Sequence, residues 1–296
     1  MSEKKKIEPN LARALLQEQF PEWSDLSFVL VPSAGTDHDL FRLGEDKLVR
    51  LPRADWTAKQ VDKEQQWLPH IVPHLPLQAP IPIAKGKPTQ DFPRSWSVYS
   101  WLEGENAILS PIFDLNQAAI ALADLLLAMQ QIDASSGPVA GAHNFGRGVP
   151  LRERDSMVRE SIAELGERVD AAAVIKVWEA SLEAPTWDKP PVWVHGDIHA
   201  GNLLTQDGKL SAVIDFGGLG VGDPAVDLIV AWNLLTQESR EVFRSRLDVD
   251  DATWMRGQGW ALSIALIALP YYYDSNPTIV ANSRRVLDEI LAEFAH

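Results

Sequence analysis

Val194-His195-Gly196-Asp197-Ile198-His199-Ala200-Gly201-Asn202, followed by Ala212-Val213-Ile214-Asp215-Phe216-Gly217, decides how this 296-residue chain is read. Three polar positions stand out: Asp197, Asn202 five residues on, and Asp215 at the end of a short β-type run. Phosphoryl transfer asks for these residue types. A carboxylate orients or deprotonates an acceptor hydroxyl, and hard oxygen ligands hold Mg²⁺ across the phosphates. Asp197 suits the first task, Asn202 and Asp215 the second. A rival reading makes His195 and His199 metal ligands. They are four apart, but Gly196 and Gly201 oppose the helix that zinc spacing needs, and no Glu sits between them.

The rest of the chain divides by character. A short helix, with Asn10 as its cap after Pro9, is expected to run to Gln19. Three β-type runs follow at Leu26 to Val31, Leu40 to Leu43 and Lys47 to Leu51, with Gly35 and Gly44-Glu45-Asp46 at the turns. Apolar spacing predicts a helix from Thr57 to Ile71. A proline-rich connector, residues 73–88, allows an extended edge strand. Ser95 to Leu102 reads as a strand. Beyond Gly104, Leu115 to Ile132 is apolar on nearly all sides and reads as a buried helix. Two more helical stretches lie within residues 151–182, a compact β segment spans Val192 to Phe216, and helical patterns dominate afterwards. A strand-rich first third before a helical remainder is the α+β order, with lobes expected at 1–102 and 103–296.

Composition narrows the partners. Net charge is −14, which repels phosphate backbones, so no nucleic-acid partner is expected. An acidic cleft would instead attract a cationic small molecule. No cysteine is present, so disulfides and thiolate metal sites are excluded. Lys4, Lys5 and Lys6 are not followed by an apolar run, and Trp260 to Tyr273 is too short to span a bilayer. The expectation is a cytoplasmic chain with no membrane partner.

The Asp197 and Asp215 blocks resemble the protein-kinase catalytic loop, His-Arg-Asp with Asn five residues later, then Asp-Phe-Gly. With Gly in place of Arg, His195-Gly196-Asp197 resembles the aminoglycoside phosphotransferase and choline-kinase-like branch. The resemblance implies a bilobal protein-kinase-like fold, with a small β-rich N-lobe and a larger helical C-lobe. It implies Mg²⁺ as cofactor and ATP or GTP as donor. Asp197 becomes the catalytic base, Asn202 and Asp215 the metal ligands, and His195 a loop brace. Gly222-Asp223-Pro224-Ala225-Val226-Asp227-Leu228 is similar to the family's following helix start, in which Asp227 hydrogen-bonds the catalytic loop.

The same resemblance assigns the nucleotide lobe. Ser33, Gly35 and Thr36 occupy the place of the phosphate-covering turn, with one glycine where kinases have three. Arg50 stands where kinases carry lysine on the third strand, with Glu64 as its helix partner. Val98-Tyr99-Ser100-Trp101-Leu102 resembles the hinge. Ser100 and Leu102 are to meet the purine edge through their backbones, with Tyr99 behind the base. The implied acceptor is a small hydroxyl-bearing, cationic molecule, an aminoglycoside or related drug such as a macrolide. A metabolic kinase for choline, an amino acid, a sugar or a glycated amine shares every motif, and a non-catalytic pseudokinase is the third class. Glu153, Asp155, Glu160, and Asp274 after Tyr271-Tyr272-Tyr273, are acceptor-side candidates because acids and aromatics together suit a cation.

Overall fold

A computed structural model describes residues 6–32 and 37–294. Ser33, Gly35 and Thr36, assigned above to the phosphate-covering turn, lie outside the described residues. The chain forms two compact units. The first runs up to Gly104 and takes in Ala212–Gly217. The second holds Glu105–Ser211 and the chain from Gly218 onward.

In the first unit, helix α1 (Pro9–Gln19) starts with Pro9 at its first turn. Its N-cap is Glu8, so Asn10 lies inside the helix instead of capping it. A missing N–H is harmless at that position, so proline suffices as the start signal. Strands β1 (Phe28–Val31), β2 (His38–Leu43), β3 (Lys47–Pro52), β4 (Pro82–Gly86) and β5 (Trp96–Ser100) form one antiparallel sheet in the order β1-β2-β3-β5-β4. The proline-rich connector supplies β4 at the sheet edge, where a residue without an N–H is tolerated. Period-two alternation sorts the side chains. Phe41, Leu43, Val49, Leu51, Trp96 and Val98 share a cluster with Ala12, Leu15 and Leu16 of α1. Across the strands, Arg50 pairs with Ser97 and Leu48 with Tyr99, which puts Arg50 and Tyr99 on the opposite face. Helix α2 (Asp55–Ile71) covers that face with Gln60, Val61, Glu64 and Leu68. Gly86 lies opposite Trp96 in the ladder, and a Cβ there would sit 1.9 Å from the indole. Only glycine allows that close approach.

The second unit is mainly helical. It begins with β6 (Glu105–Asn106), then α3 (Leu115–Gln131), α4 (Asp155–Leu165) and α5 (Ala171–Glu183). Next come β7 (Val192–Val194), β8 (Leu203–Gln206), β9 (Lys209–Val213), whose last two residues belong to the first unit, and β10 (Gly220–Gly222). Helices α6 (Val230–Asn233), α7 (Gln237–Leu247), α8 (Asp251–Tyr272) and α9 (Pro277–Phe294) close it. Asp114 caps α3, and buried Leu122, Leu125, Leu126 and Met129 pack it against α7. Helix α8 packs on α4, α5 and α9 around the buried Trp178 and Trp260. Strands β6, β8 and β9 pair as one small sheet and β7 with β10 as another, and these ladders carry the motif loops. Among the described residues, no helix is long and apolar enough to cross a membrane.

Candidate active site

The second unit holds the Asp197 loop between β7 and β8. Gly196 has φ +81°, and a Cβ there would lie 2.6 Å from the Gly218 carbonyl oxygen, so this turn needs glycine. Asp227 accepts from the backbone N–H of His195 at 2.8 Å and of Gly196 at 2.6 Å. Burial pushes the Asp227 carboxyl up to about 7, against the pull of those two N–H groups. His195 is fully buried, and its Nδ1 accepts from the Asp197 N–H at 3.2 Å. Asn233 Nδ2 donates to the Ile198 carbonyl at 3.0 Å. The loop is thus fastened from the Asp227 turn and from α6.

Asp197 keeps 37% of its side chain exposed. Asn202 Nδ2 donates to the Asp197 carbonyl at 2.9 Å and to its Oδ2 at 3.2 Å. Arg147 Nη2 lies 3.6 Å from Oδ1, and His199 Nε2 lies 3.6 Å from Oδ2. Burial favours the protonated acid, but His199, Arg147 and His195 outweigh it and hold Asp197 below the usual carboxylate range. Asp197 is ionised at neutral pH. His199 also accepts from the Gly201 N–H through Nδ1 at 3.0 Å, so both histidines act within the loop.

The first unit holds the Asp215 turn. Asp215 has φ +61°, an uncommon conformation for a residue with a Cβ, and one that recurs at functional sites. Its Oδ1 accepts from Arg50 Nη2 at 2.7 Å and from the Gly217 N–H at 3.3 Å. Arg50 Nη1 donates to both Glu64 oxygens at 2.9 Å. Glu64 is 1% exposed and also accepts from the Tyr99 hydroxyl. Burial alone would lower the Arg50 pKa, but Asp215 and Glu64 raise it above its ordinary value. Burial raises the Tyr99 pKa, and the Glu64 charge adds to the rise. Arg50 and Glu64 therefore form a buried, charge-matched pair, not a surface one.

Ser100, expected at the hinge, donates its N–H to the Ile81 carbonyl at 2.9 Å, and its hydroxyl accepts from the Ile81 N–H at 3.0 Å. Leu102 lies two residues past β5, outside any helix or strand. Tyr99 is 2% exposed, with its phenol turned to Glu64. Lys63 and Arg147 were not picked out in the sequence. Lys63 donates to the Gly217 carbonyl at 2.8 Å, and burial pulls its pKa down to about 8. The available signal for Lys63 was the polar set Thr57, Gln60 and Glu64 on the inward stripe of α2. Arg147 lies on an irregular loop, where no periodicity marks it.

Two of the acceptor-side candidates already have partners within the second unit. Asp155 accepts from Trp178 Nε1 at 2.7 Å and from Arg159 Nε at 2.9 Å, and Glu160 accepts from Ser156 at 2.6 Å. Arg168 lies 4.3 Å from the ring centroid of Tyr273, so that aromatic group already faces a cation of the chain. Glu153 lines a cavity of about 450 Å³ with Leu151, Trp187, Asp223 and Arg256. None of the catalytic, metal-ligand or hinge candidates lines that cavity.

The sequence profile of the phosphotransferase enzyme family, APH, matches residues 29–261. The chain belongs to that family. Aminoglycoside 3'-phosphotransferase of Escherichia coli is similar to this phosphotransferase-family chain, with 24% identity over 185 residues, 62% of this chain and 66% of the relative. One from Salmonella typhimurium is 26% identical over 49% of this chain and 54% of its own length. The chain thus spans less than two thirds of the length of these curated relatives. Among solved structures, the GDP complex of aminoglycoside 2'-phosphotransferase-IIIa superposes with a TM-score of 0.74 at 16% identity, covering 97% of this chain and 100% of that one. Macrolide 2'-phosphotransferase MphH from Brachybacterium faecium gives 0.65 at 20% identity, covering 94% and 98%. At these identities the likeness shows the fold, which is α+β and protein-kinase-like.

Taken one by one, Asn202 and Asp215 carry donors that suit Mg²⁺. The Asn202 amide nitrogen is committed to Asp197, while its oxygen accepts no hydrogen bond among the described residues. Asp215 offers carboxylate oxygens at a side chain 43% exposed. Among the described residues, no three His, Cys, Asp or Glu gather as an all-protein cage. Mg²⁺ takes one or two protein oxygens and completes its shell with phosphates and water.

Proposed function

We propose that this chain is a small-molecule kinase that moves the γ-phosphoryl group of ATP or GTP to a substrate hydroxyl. The observation that carries the reading is the hydrogen-bonded, ionised Asp197, partly open to solvent on a loop braced by Asp227. In this reading Asp197 accepts a hydrogen bond from the acceptor hydroxyl and aims its oxygen at the γ-phosphorus. A carboxylate held at low pKa is a weak base, so it orients first and takes the proton as the new P–O bond forms. The bond from the γ-phosphorus to the bridging oxygen breaks, and the nucleoside diphosphate leaves. Asn202 and Asp215 would each supply oxygen donors to Mg²⁺, and the ion would offset charge on the phosphates. Arg50, kept in place by Glu64 and Tyr99, holds Asp215. The Leu102 backbone would meet the base, because the Ser100 N–H is already bonded to the Ile81 carbonyl.

The relatives' names point to aminoglycosides and macrolides as the first acceptors to assay. A metabolite acceptor is the second reading, and Arg147 beside Asp197, a like charge to a polycationic drug, favours it. Excess EDTA is expected to abolish nucleotide-dependent phosphorylation, and Mg²⁺ to restore it. Undiminished turnover in EDTA would contradict the metal assignment.

A further inference from the structure

His199 stands at the start of the turn Ala200–Asn202, where its ring Nδ1 accepts from the Gly201 N–H at 3.0 Å. An imidazole nitrogen that accepts carries no proton, so the neutral ring holds its one N–H at Nε2. Nε2 is the atom that faces Asp197, 3.6 Å from Oδ2. The two loop histidines therefore differ. His195 is fully buried and spends Nδ1 on the Asp197 backbone. His199 keeps 36% of its side chain exposed and turns its N–H to the Asp197 carboxylate.

Neighbouring residues hold the ring in that pose. A Cβ at Gly201 would lie 2.6 Å from His199 Cε1 and 2.9 Å from Nδ1, so the ring fills space that only glycine leaves open. Gly201 is itself fastened, because its carbonyl accepts from Asn106 Nδ2. The Asn202 N–H donates to the His199 carbonyl at 2.8 Å and closes the turn.

A carboxylate offers about four lone-pair directions on its two oxygens. Asp197 Oδ2 meets Asn202 Nδ2 at 3.2 Å as well as His199, whereas Oδ1 faces Arg147 Nη2 at 3.6 Å. Two donors aimed at Oδ2 and one at Oδ1 leave the more room on Oδ1. A separation of 3.6 Å is longer than a hydrogen bond, and such contacts at catalytic groups tighten once substrate is bound. Burial pushes the Asp197 pKa up, and His199 is the foremost of the groups that pull it down.

We propose that His199 is a positioning residue for phosphoryl transfer: its Nε2–H holds Asp197 Oδ2 and so turns Oδ1 to the acceptor hydroxyl. This rests on the kinase reading. His199 neither gains nor loses a proton in the transfer. It fixes the direction of the carboxylate, and a misaligned carboxylate costs rate more than nucleotide affinity. The competing role is purely structural, with His199 capping the Ala200–Asn202 turn through Nδ1. Two substitutions separate the roles. Asn can present its side-chain oxygen to the Gly201 N–H but is too short to reach Asp197. Gln can carry an amide N–H to the place of Nε2.

The test begins with imidazole NMR of the chain labelled at its histidines, at about pH 8, where a histidine of ordinary pKa is neutral. His199→Asn assigns the ring signals. A bare Nδ1 and a protonated Nε2 are expected, with the Nε2 resonance moved by Asp197→Asn. A ring protonated at Nδ1, or an Nε2 resonance blind to Asp197→Asn, overturns the proposal. Rates are read beside it, with the aminoglycoside kanamycin as acceptor, and with nucleotide hydrolysis, in which water takes the acceptor's place. His199→Asn should lower kcat about tenfold, typical of one charge-assisted hydrogen bond, while the nucleotide KM moves less than about twofold. His199→Gln should recover most of that loss. An Asn variant as fast as the Gln variant, or faster, leaves His199 as a turn cap and refutes the positioning role. Wild type that neither binds Mg-nucleotide in calorimetry nor hydrolyses it sinks the kinase reading instead, and the NMR result still decides whether His199 engages Asp197.

Discussion

At the scale of single residues, the account turns on matched charge in low-dielectric surroundings. Arg50 bridges Glu64 and Asp215, so its loss leaves Glu64 buried without its hydrogen-bonded guanidinium. Arg50→Ala is expected to cost about 3–5 kcal/mol of stability, as for other broken buried pairs, and to weaken Mg-nucleotide binding. Arg50→Ala combined with Glu64→Gln should recover much of the stability but not the binding, by urea unfolding and calorimetry side by side. A single variant with normal stability would make the pair a bystander. Such partnerships were only half legible in the sequence. Arg50 and Glu64 were found because both sit at motif positions. Lys63 and Arg147 were not, because their partners depend on packing between segments far apart in the chain. The pairing of Tyr99 with Glu64 was hidden for the same reason: strand alternation gives the face, but the helix that covers it is a tertiary choice.

At the scale of elements, backbone geometry places the chemistry. Strand and helix positions followed from period-two and helical spacing, and the β4 edge from its prolines. The left-handed backbone of Asp215 was not legible, because no local residue preference calls for it. Gly196→Ala would force a Cβ against Gly218 and hold a side chain at φ +81°. A loss of about 2 kcal/mol or more and a collapse of turnover are expected, measured by urea unfolding and initial rates. Asp227, which fastens the same loop, gives a pH signature. Its folded pKa of about 7 lies above the ordinary value of 3.8, so folding favours the protonated form. Its stability contribution is then full below about pH 4, declines as pH rises towards 7, and stays level above. The stability of wild type relative to Asp227→Asn should fall across that window. A pH-independent difference would show that Asp227 ionises normally in the fold.

At the scale of the whole molecule, net charge sets how ligands arrive. The chain carries −14, and Mg-nucleotide is itself anionic. Raising ionic strength from about 10 mM to about 150 mM shortens the screening length from roughly 30 Å to roughly 8 Å. The association rate of a fluorescent Mg-nucleotide should therefore rise with salt in stopped-flow mixing. A rate that falls with salt would mean that cations near the binding groups dominate the field. The two-unit division also bears on how the fold was read. Composition separates a strand-rich start from a helical remainder. The return of Ala212–Gly217 to the first unit is a topological event that spacing does not reveal.

The division of labour between Asp197 and Asp215 is the central claim, and one paired measurement tests it. Mg-nucleotide is titrated calorimetrically into Asp197→Asn and Asp215→Asn, with single-turnover kinetics on the same samples. Asp197→Asn keeps the shape and removes the proton acceptor, so binding should survive while turnover falls by about two orders of magnitude or more. Asp215→Asn removes charge from the metal shell, so both binding and turnover should fall. Near-normal turnover in Asp197→Asn, or equal loss of nucleotide binding in the two variants, would contradict the account.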